Sequence, residues 1–152
     1  MKLTTILLLA VGLVGLSAIA VRLYPVRAEE HHVDPLTVDP PNSPNFVLMR
    51  GADAVRHPAD LAASVEALDA AIAALGGAPL AGALSDGHAS FVFRSRIMGF
   101  PDVLSIRLLQ ADADPGAPMA TEIAIFSRSL FGYGDLGVNR ARVERLLTAL
   151  TP

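Results

Sequence analysis

Residues 89–109, ASFVFRSRIMGFPDVLSIRLL, decide the fold, because apolar and polar side chains alternate along them with a period of two and the alternation breaks only around Gly99 and Pro101. In Ala89–Arg96 the residues Ala89, Phe91 and Phe93 face one way, and Val92, Arg94 and Arg96 the other. Val103–Leu109 presents Leu104, Ile106 and Leu108 together, and Thr121–Ser127 repeats the pattern with Ile123 and Ile125. These are three strands of an antiparallel sheet, the last two joined through a β-turn at Asp114-Pro115-Gly116. A hairpin symmetric about that turn sets Arg107 opposite Glu122 as a cross-strand ion pair.

Upstream, Phe46 to Arg50 reads as a further short strand, and Pro79–Leu84 as a short apolar segment ending in the turn residues Ser85-Asp86-Gly87. Between them, His57-Pro58 leads into a helix from about Ala59 to Leu75, with Leu61, Val65, Leu68, Ile72 and Leu75 on one face and Gly76-Gly77 as its stop. Downstream, a second helix from about Leu136 to Leu150 carries Val143, Leu146, Leu147 and Leu150 on one stripe, with Asp135 or Asn139 as its N-cap. The fold class that follows is α+β: a small antiparallel sheet with two helices packed on one face.

This domain occupies residues 46–152 of a 152-residue chain, enough for one core and no more. There is no cysteine, which excludes disulfides and thiolate chemistry. A formal charge of −3 argues against nucleic acid as a partner. Lys2 is the only lysine among twelve basic residues, so the rest are arginines, suited to bidentate recognition of carboxylate or phosphate.

Ahead of the domain, Leu3 to Val21 is uncharged and bounded by Lys2 and Arg22. Its length matches the roughly 20 apolar residues that cross a bilayer and exceeds a typical signal-peptide core. Residues 1–27 therefore read as a membrane anchor, with cleavage near Ala20 as the alternative, since Ala18-Ile19-Ala20 fits the small-x-small pattern. The short N-terminal tail stays inside, which gives an inner-membrane-anchored protein whose domain faces the periplasm. Residues 28–45 contain Pro35, Pro40, Pro41 and Pro44 and read as an extended connector. Val33, Leu36, Val38 and Phe46 are the residues expected to dock it along the domain surface. His31, His32, His57 and His88 lack the spacing of metal ligands, so neither a metal nor a cofactor is expected.

One internal correspondence bears on function. Ile97-Met98-Gly99-Phe100-Pro101-Asp102-Val103 and Leu130-Phe131-Gly132-Tyr133-Gly134-Asp135-Leu136 match at an offset of 33, each after a strand ending in Ser-Arg. Each unit supplies an arginine, a turn glycine, an aromatic residue and an aspartate. The commoner reading of such a pair is two structural turns in which aspartate caps or pairs with arginine. Read as a site, Arg94, Arg96 and Arg128, together with Asn139 and Arg140 at the start of a helix, make an anion-receptive corner, with Asp102 and Asp135 holding the guanidiniums.

The run Ser127-Arg128-Ser129 with Gly132-Tyr133-Gly134-Asp135-Leu136-Gly137-Val138-Asn139-Arg140-Ala141-Arg142-Val143-Glu144 resembles the C-terminal signature of the family called domain of unknown function 1499. Arg94-Ser95-Arg96 with Gly99-Phe100-Pro101-Asp102, and Asn42-Ser43-Pro44-Asn45, are similar to the same family, so the resemblance spans residue 31 to the end. It implies a bacterial or plastid protein, often with an N-terminal membrane segment, and no established activity. Many members carry cysteines flanking the Ser-Pro-Asn element, where this chain has Pro40 and Phe46.

Catalysis finds little support: the chain has no nucleophile elbow and no phosphate loop, and arginines beside the aspartates would hold both ionised. The expectation is a membrane-anchored, non-catalytic binding or scaffolding domain of the cell envelope, recognising an anionic lipid or another anion. An assembly partner of a larger membrane complex is the alternative, and a hydrolase ranks below it.

Overall fold

Strands form where the alternation predicts them, and the structure, a computed structural model, describes residues 2–111 and 119–150. The strands are β1 (Phe46–Met49), β2 (Val55–His57), β3 (Ala78–Ala83), β4 (His88–Arg94), β5 (Pro101–Gln110) and β6 (Thr121–Ser129). All pair antiparallel, in the order β1-β6-β5-β4-β3, and β2 lines up beside β6 beyond the end of β1. The helices are α1 (Leu3–Arg22), the single turn α2 (Ala28–His31), α3 (Leu61–Ala74) and α4 (Val138–Ala149). The α+β class stands, with α3 and α4 on one face of the sheet and α1 apart from it.

Strand alternation sorts the core. Ala89, Phe91, Phe93, Leu104, Ile106, Leu108, Ile123 and Ile125 are buried against Leu68 and Ile72 of α3 and Val143 and Leu146 of α4. α3 starts where Asp60 caps it, its carboxylate accepting from the Ala63 amide at 2.8 Å, so that the helix begins at Leu61, two residues later than the sequence reading placed it.

Three local expectations need correction. The register places Arg107 opposite Ala124, and Glu122 opposite Leu109 and Arg56. The observed pairing is two residues away from the expected one, so faces are kept while Leu108 meets Ile123 and Ile106 meets Ile125 in the core. Arg107 instead reaches Asp34 at 3.7 Å; the expected turn at Asp114-Pro115-Gly116 lies outside the described residues. β4 ends at Arg94, because the Ser95 amide donates to the Phe100 carbonyl and closes a turn in which Gly99 sits at φ 75. The connector is not extended throughout, since Ala28–His31 form a helical turn upstream of the first proline that would forbid it.

The connector covers the second face of the sheet. His32 Nδ1 lies 2.9 Å from Ser90 Oγ, which in turn bonds Ser105 Oγ at 2.8 Å, both serines being fully buried. His88 Nε2 meets the Val33 carbonyl at 3.1 Å, and its ring stacks on His32 at 4.0 Å. One guanidinium nitrogen of Arg50 donates to the carbonyls of Pro35, Leu36 and Val38. None of these three carbonyls takes a backbone donor among the described residues, and one arginine satisfies them together.

Two outcomes follow. Gly82 sits at φ 70 with space for no Cβ, which would lie 2.2 Å from the His88 carbonyl oxygen; Gly82→Ala should cost at least about 1–3 kcal/mol, read as a lower denaturation midpoint. Burial, then the Arg128 charge, lowers the pKa of His31, and burial, then His88, lowers that of His32. A histidine lowered on folding binds fewer protons folded than unfolded. Its contribution to stability is therefore complete above about pH 6.5 and erodes as pH falls through that value toward the folded pKa. Melting temperature should be level between about pH 7 and 8 and drop below about 6.5, with a smaller drop in His32→Gln.

Candidate functional site

α4 begins where Asp135 closes on it. One carboxylate oxygen accepts from the Gly137 amide at 3.1 Å; the other accepts from the Asn139 amide and from Asn139 Nδ2, both at 2.8 Å. Burial pushes the Asp135 carboxyl upward, but these hydrogen bonds outweigh it and hold it below the usual carboxylate range. The N-cap itself is Gly137, not Asp135 or Asn139 as the sequence suggested; Asp135 satisfies the first helical amides from two residues before that cap, and Asn139 is already inside the helix.

From Asn139 a polar network runs inward. Asn139 Nδ2 also donates to Ser129 Oγ at 3.0 Å and to the Asn45 carbonyl at 3.3 Å, while its Oδ1 accepts from Ser127 Oγ and Arg142 Nη1, each at 2.6 Å. Arg142 Nη2 donates to Asp102 Oδ2 at 2.5 Å, and Ser129 Oγ donates to the other Asp102 oxygen at 2.6 Å. The guanidinium lies over the Phe93 ring, 4.5 Å from its centre. Asn45 Nδ2 bonds the Gly132 carbonyl at 2.8 Å, which ties the Ser-Pro-Asn element to the glycine turn. No buried side-chain polar atom among the described residues lacks a partner.

The structure divides the residues expected at one corner. Asp102, Asp135 and Asn139 are together in this network. Arg94 and Arg128 point to the opposite face, because they alternate with Phe93 and Ser127. Arg128 contacts His31 at 3.1 Å and the Phe126 ring, and burial lowers its pKa. Arg94 donates to the carbonyls of Val21, Gly99 and Tyr24. Arg96 and Arg140 are exposed. Asp102 therefore holds Arg142, and not the three arginines expected of it. Arg142 escaped the sequence reading although it stands three residues after Asn139, in line with the Val143 and Leu146 stripe. A charged residue on an apolar helical stripe was the available signal.

Two neighbouring grooves open over this network, sharing Ser95 and Val138. One, of about 410 Å³, is walled by Phe100, Phe131, Leu136 and Val138 with Asp102 and Ser129 at its floor. The other, of about 520 Å³, is lined by Arg94, Arg96, Arg142 and Arg145 with Ile97 and Met98, and by no acidic residue. Neither Arg96 nor Arg145 makes a side-chain hydrogen bond or ion pair with the described residues. Arg145 is on the groove because it follows Arg142 by three residues on the same helical face; Arg140 is not among the residues that line it.

The end of α1 is bound to this corner. Arg22 Nη2 donates to the carbonyls of Arg96 and Ile97, each at 3.0 Å, and Tyr24 packs edge-on against Phe131 at 5.0 Å.

The family model described as Protein of unknown function (DUF1499) matches residues 17–150. Comparison with curated proteins and with solved structures finds no match. The chain therefore belongs to the DUF1499 family.

Removing one partner of the buried pair leaves a charge without its counterion. Asp102→Ala should destabilise by about 3–5 kcal/mol, measured by denaturant unfolding. Adding Arg142→Met should recover a large part of that loss, because the charge left unpaired is then gone.

Proposed function

We propose that this DUF1499 protein is a membrane-anchored, non-catalytic binding domain of the bacterial cell envelope, and that the groove beside Arg96 and Arg145 takes the anionic headgroup of an amphiphile. The observation that carries it is a groove, next to the end of α1, with two guanidiniums that have no partner and with no acidic lining among the described residues. Guanidinium is suited to bidentate hydrogen bonding of phosphate or carboxylate. The Asp102 ion pair neutralises Arg142, and Arg94 is committed to three backbone carbonyls, so the guanidiniums left to bond a ligand are those of Arg96 and Arg145.

α1 has twenty residues, a mean hydropathy of 2.4 over its apolar window and no buried residue, which is long and apolar enough to cross a membrane. As an anchor with its short N-terminal tail inside, it puts the domain in the periplasm. A binding role is favoured over hydrolysis by the position of the serine–histidine pairs. Ser90 beside His32 and Ser64 beside His57 are both fully buried, out of reach of a substrate.

The full chain, reconstituted with a mixture of phosphatidylglycerol and phosphatidylcholine, should retain phosphatidylglycerol selectively in native mass spectrometry. Arg96→Ala with Arg145→Ala should weaken retention by about tenfold or more, at about 1 kcal/mol per arginine, while the melting temperature stays level. Equal retention of both lipids by wild type and variant would remove the headgroup reading. A stoichiometric crosslinked protein in native membranes would then favour an assembly partner.

A further inference from the structure

Exposed apolar side chains are not scattered over this molecule. Apart from α1, Leu23 and Tyr24, the large hydrophobic residues exposed among the described residues are Ile97, Phe100, Tyr133, Leu136 and Val138, with Met119 the one exception elsewhere. Four lie on two loops that rim the grooves beside the end of α1, residues 95–100 and the stretch from 130 up to the start of α4, and the fifth, Val138, is the first residue of α4. Ile97 is 86% exposed, Tyr133 75% and Leu136 102%. Contiguous exposure of this kind marks a surface that meets a partner or a membrane.

Both loops are fastened to the end of the apolar helix. Arg22 grips the carbonyls of Arg96 and Ile97, and a Cβ on Gly99 would sit 3.0 Å from the Arg22 side chain. Phe131 joins Tyr24 to Phe100, with ring centres 5.0 and 6.1 Å apart. A helix that crosses the bilayer thus carries these loops to its surface. Leu136 adds an independent sign. It holds a left-handed backbone, at φ 54, although fully exposed. A non-glycine residue in that region costs energy, and here no burial within the protein offsets it.

Resting on the anchored reading of α1, we infer that the loop 95–100 and the stretch from 130 up to the start of α4 form a second membrane contact, with Ile97, Tyr133 and Leu136 inserted among the lipid headgroups. Aromatic and aliphatic side chains ringed by arginine suit the interfacial layer, where apolar parts bury and guanidiniums stay with phosphates. Both grooves then open into the headgroup layer, and an amphiphile enters sideways from the bilayer without crossing water.

The chain contains no tryptophan, so a single one reports its own surroundings. Tyr133→Trp and Leu136→Trp, made separately in the full chain and reconstituted in phosphatidylcholine–phosphatidylglycerol vesicles, test the contact. The control is Ser85→Trp, at the opposite end of β4 from the loops. Lipids brominated on their acyl chains should quench the first two by roughly half, with blue-shifted emission, as expected for insertion about 5–10 Å deep, and leave the control bright. If the chain floats with the vesicles but all three reporters stay bright, the loop contact is wrong and the anchor stands. Equal quenching of the control also overturns it. If the chain does not float with vesicles at all, the anchor reading and the loop contact fall together.

Discussion

The corner of the molecule around the grooves depends on the ion pair between Asp102 and Arg142, both about nine-tenths buried. A buried pair of charges gains little net stability on its own, because desolvation offsets the attraction. Its effect here is to specify. Arg142 has one position in which its guanidinium meets Asp102, Asn139, Ser127 and the face of Phe93 together. That position sets the rotation of α4 on the sheet. Through Asn139 it also fixes Ser129, Asp135 and the Asn45 carbonyl, and so the loop that rims the grooves.

The sheet is covered on both sides by different means. α3 and α4 cover one face with apolar packing that the strand alternation alone would produce. The other face meets residues 31–38, which follow the end of α2 and turn at Asp34-Pro35-Leu36-Thr37 without adding a strand. It holds on through polar contacts: Arg50 to three carbonyls, His88 to a fourth, His32 to Ser90, and Asp34 to Arg107. Burial lowers the pKa of His31 and His32, so this cover loosens as pH falls.

Arg94 and Arg22 join the domain to the helix that precedes it, each donating to backbone carbonyls across the junction. Two residues of one arginine-rich turn thus serve different ends: Arg94 spends its guanidinium on the anchor, and Arg96 leaves its own toward the groove. The Val21 carbonyl, which accepts the Tyr24 amide at 3.2 Å, takes Arg94 as a second donor, and no further helical turn competes for the carbonyls at the end of α1. With the helix end held this way, whatever the helix occupies, the grooves stay beside it.

Much of the architecture was legible along the chain. Period-two alternation in Ala89–Arg94 and Thr121–Ser127, the apolar stripes of α3 and α4, and the uncharged run Leu3–Val21 identified the sheet, its helices and α1, because each is a local periodicity. The same local information marked Asp102, Asp135 and Asn139 as residues that belong together. It did not reveal their partner. Arg128 lies on the wrong face, which its alternation with Ser127 on β6 decides, whereas Arg140 lies off the groove and Arg142 and Arg145 face it, and only the docking of α4 tells those three apart. The hairpin register, with Arg107 opposite Ala124, likewise depended on which apolar pairs fill the core, since a two-residue shift preserves every face. The sequence by itself determined which segments are strands and helices and which sides of them are apolar, since those follow from short-range spacing. Tertiary structure alone decided which arginine meets which carboxylate and which remains free, because that depends on how two distant faces are rotated against each other when their apolar stripes pack.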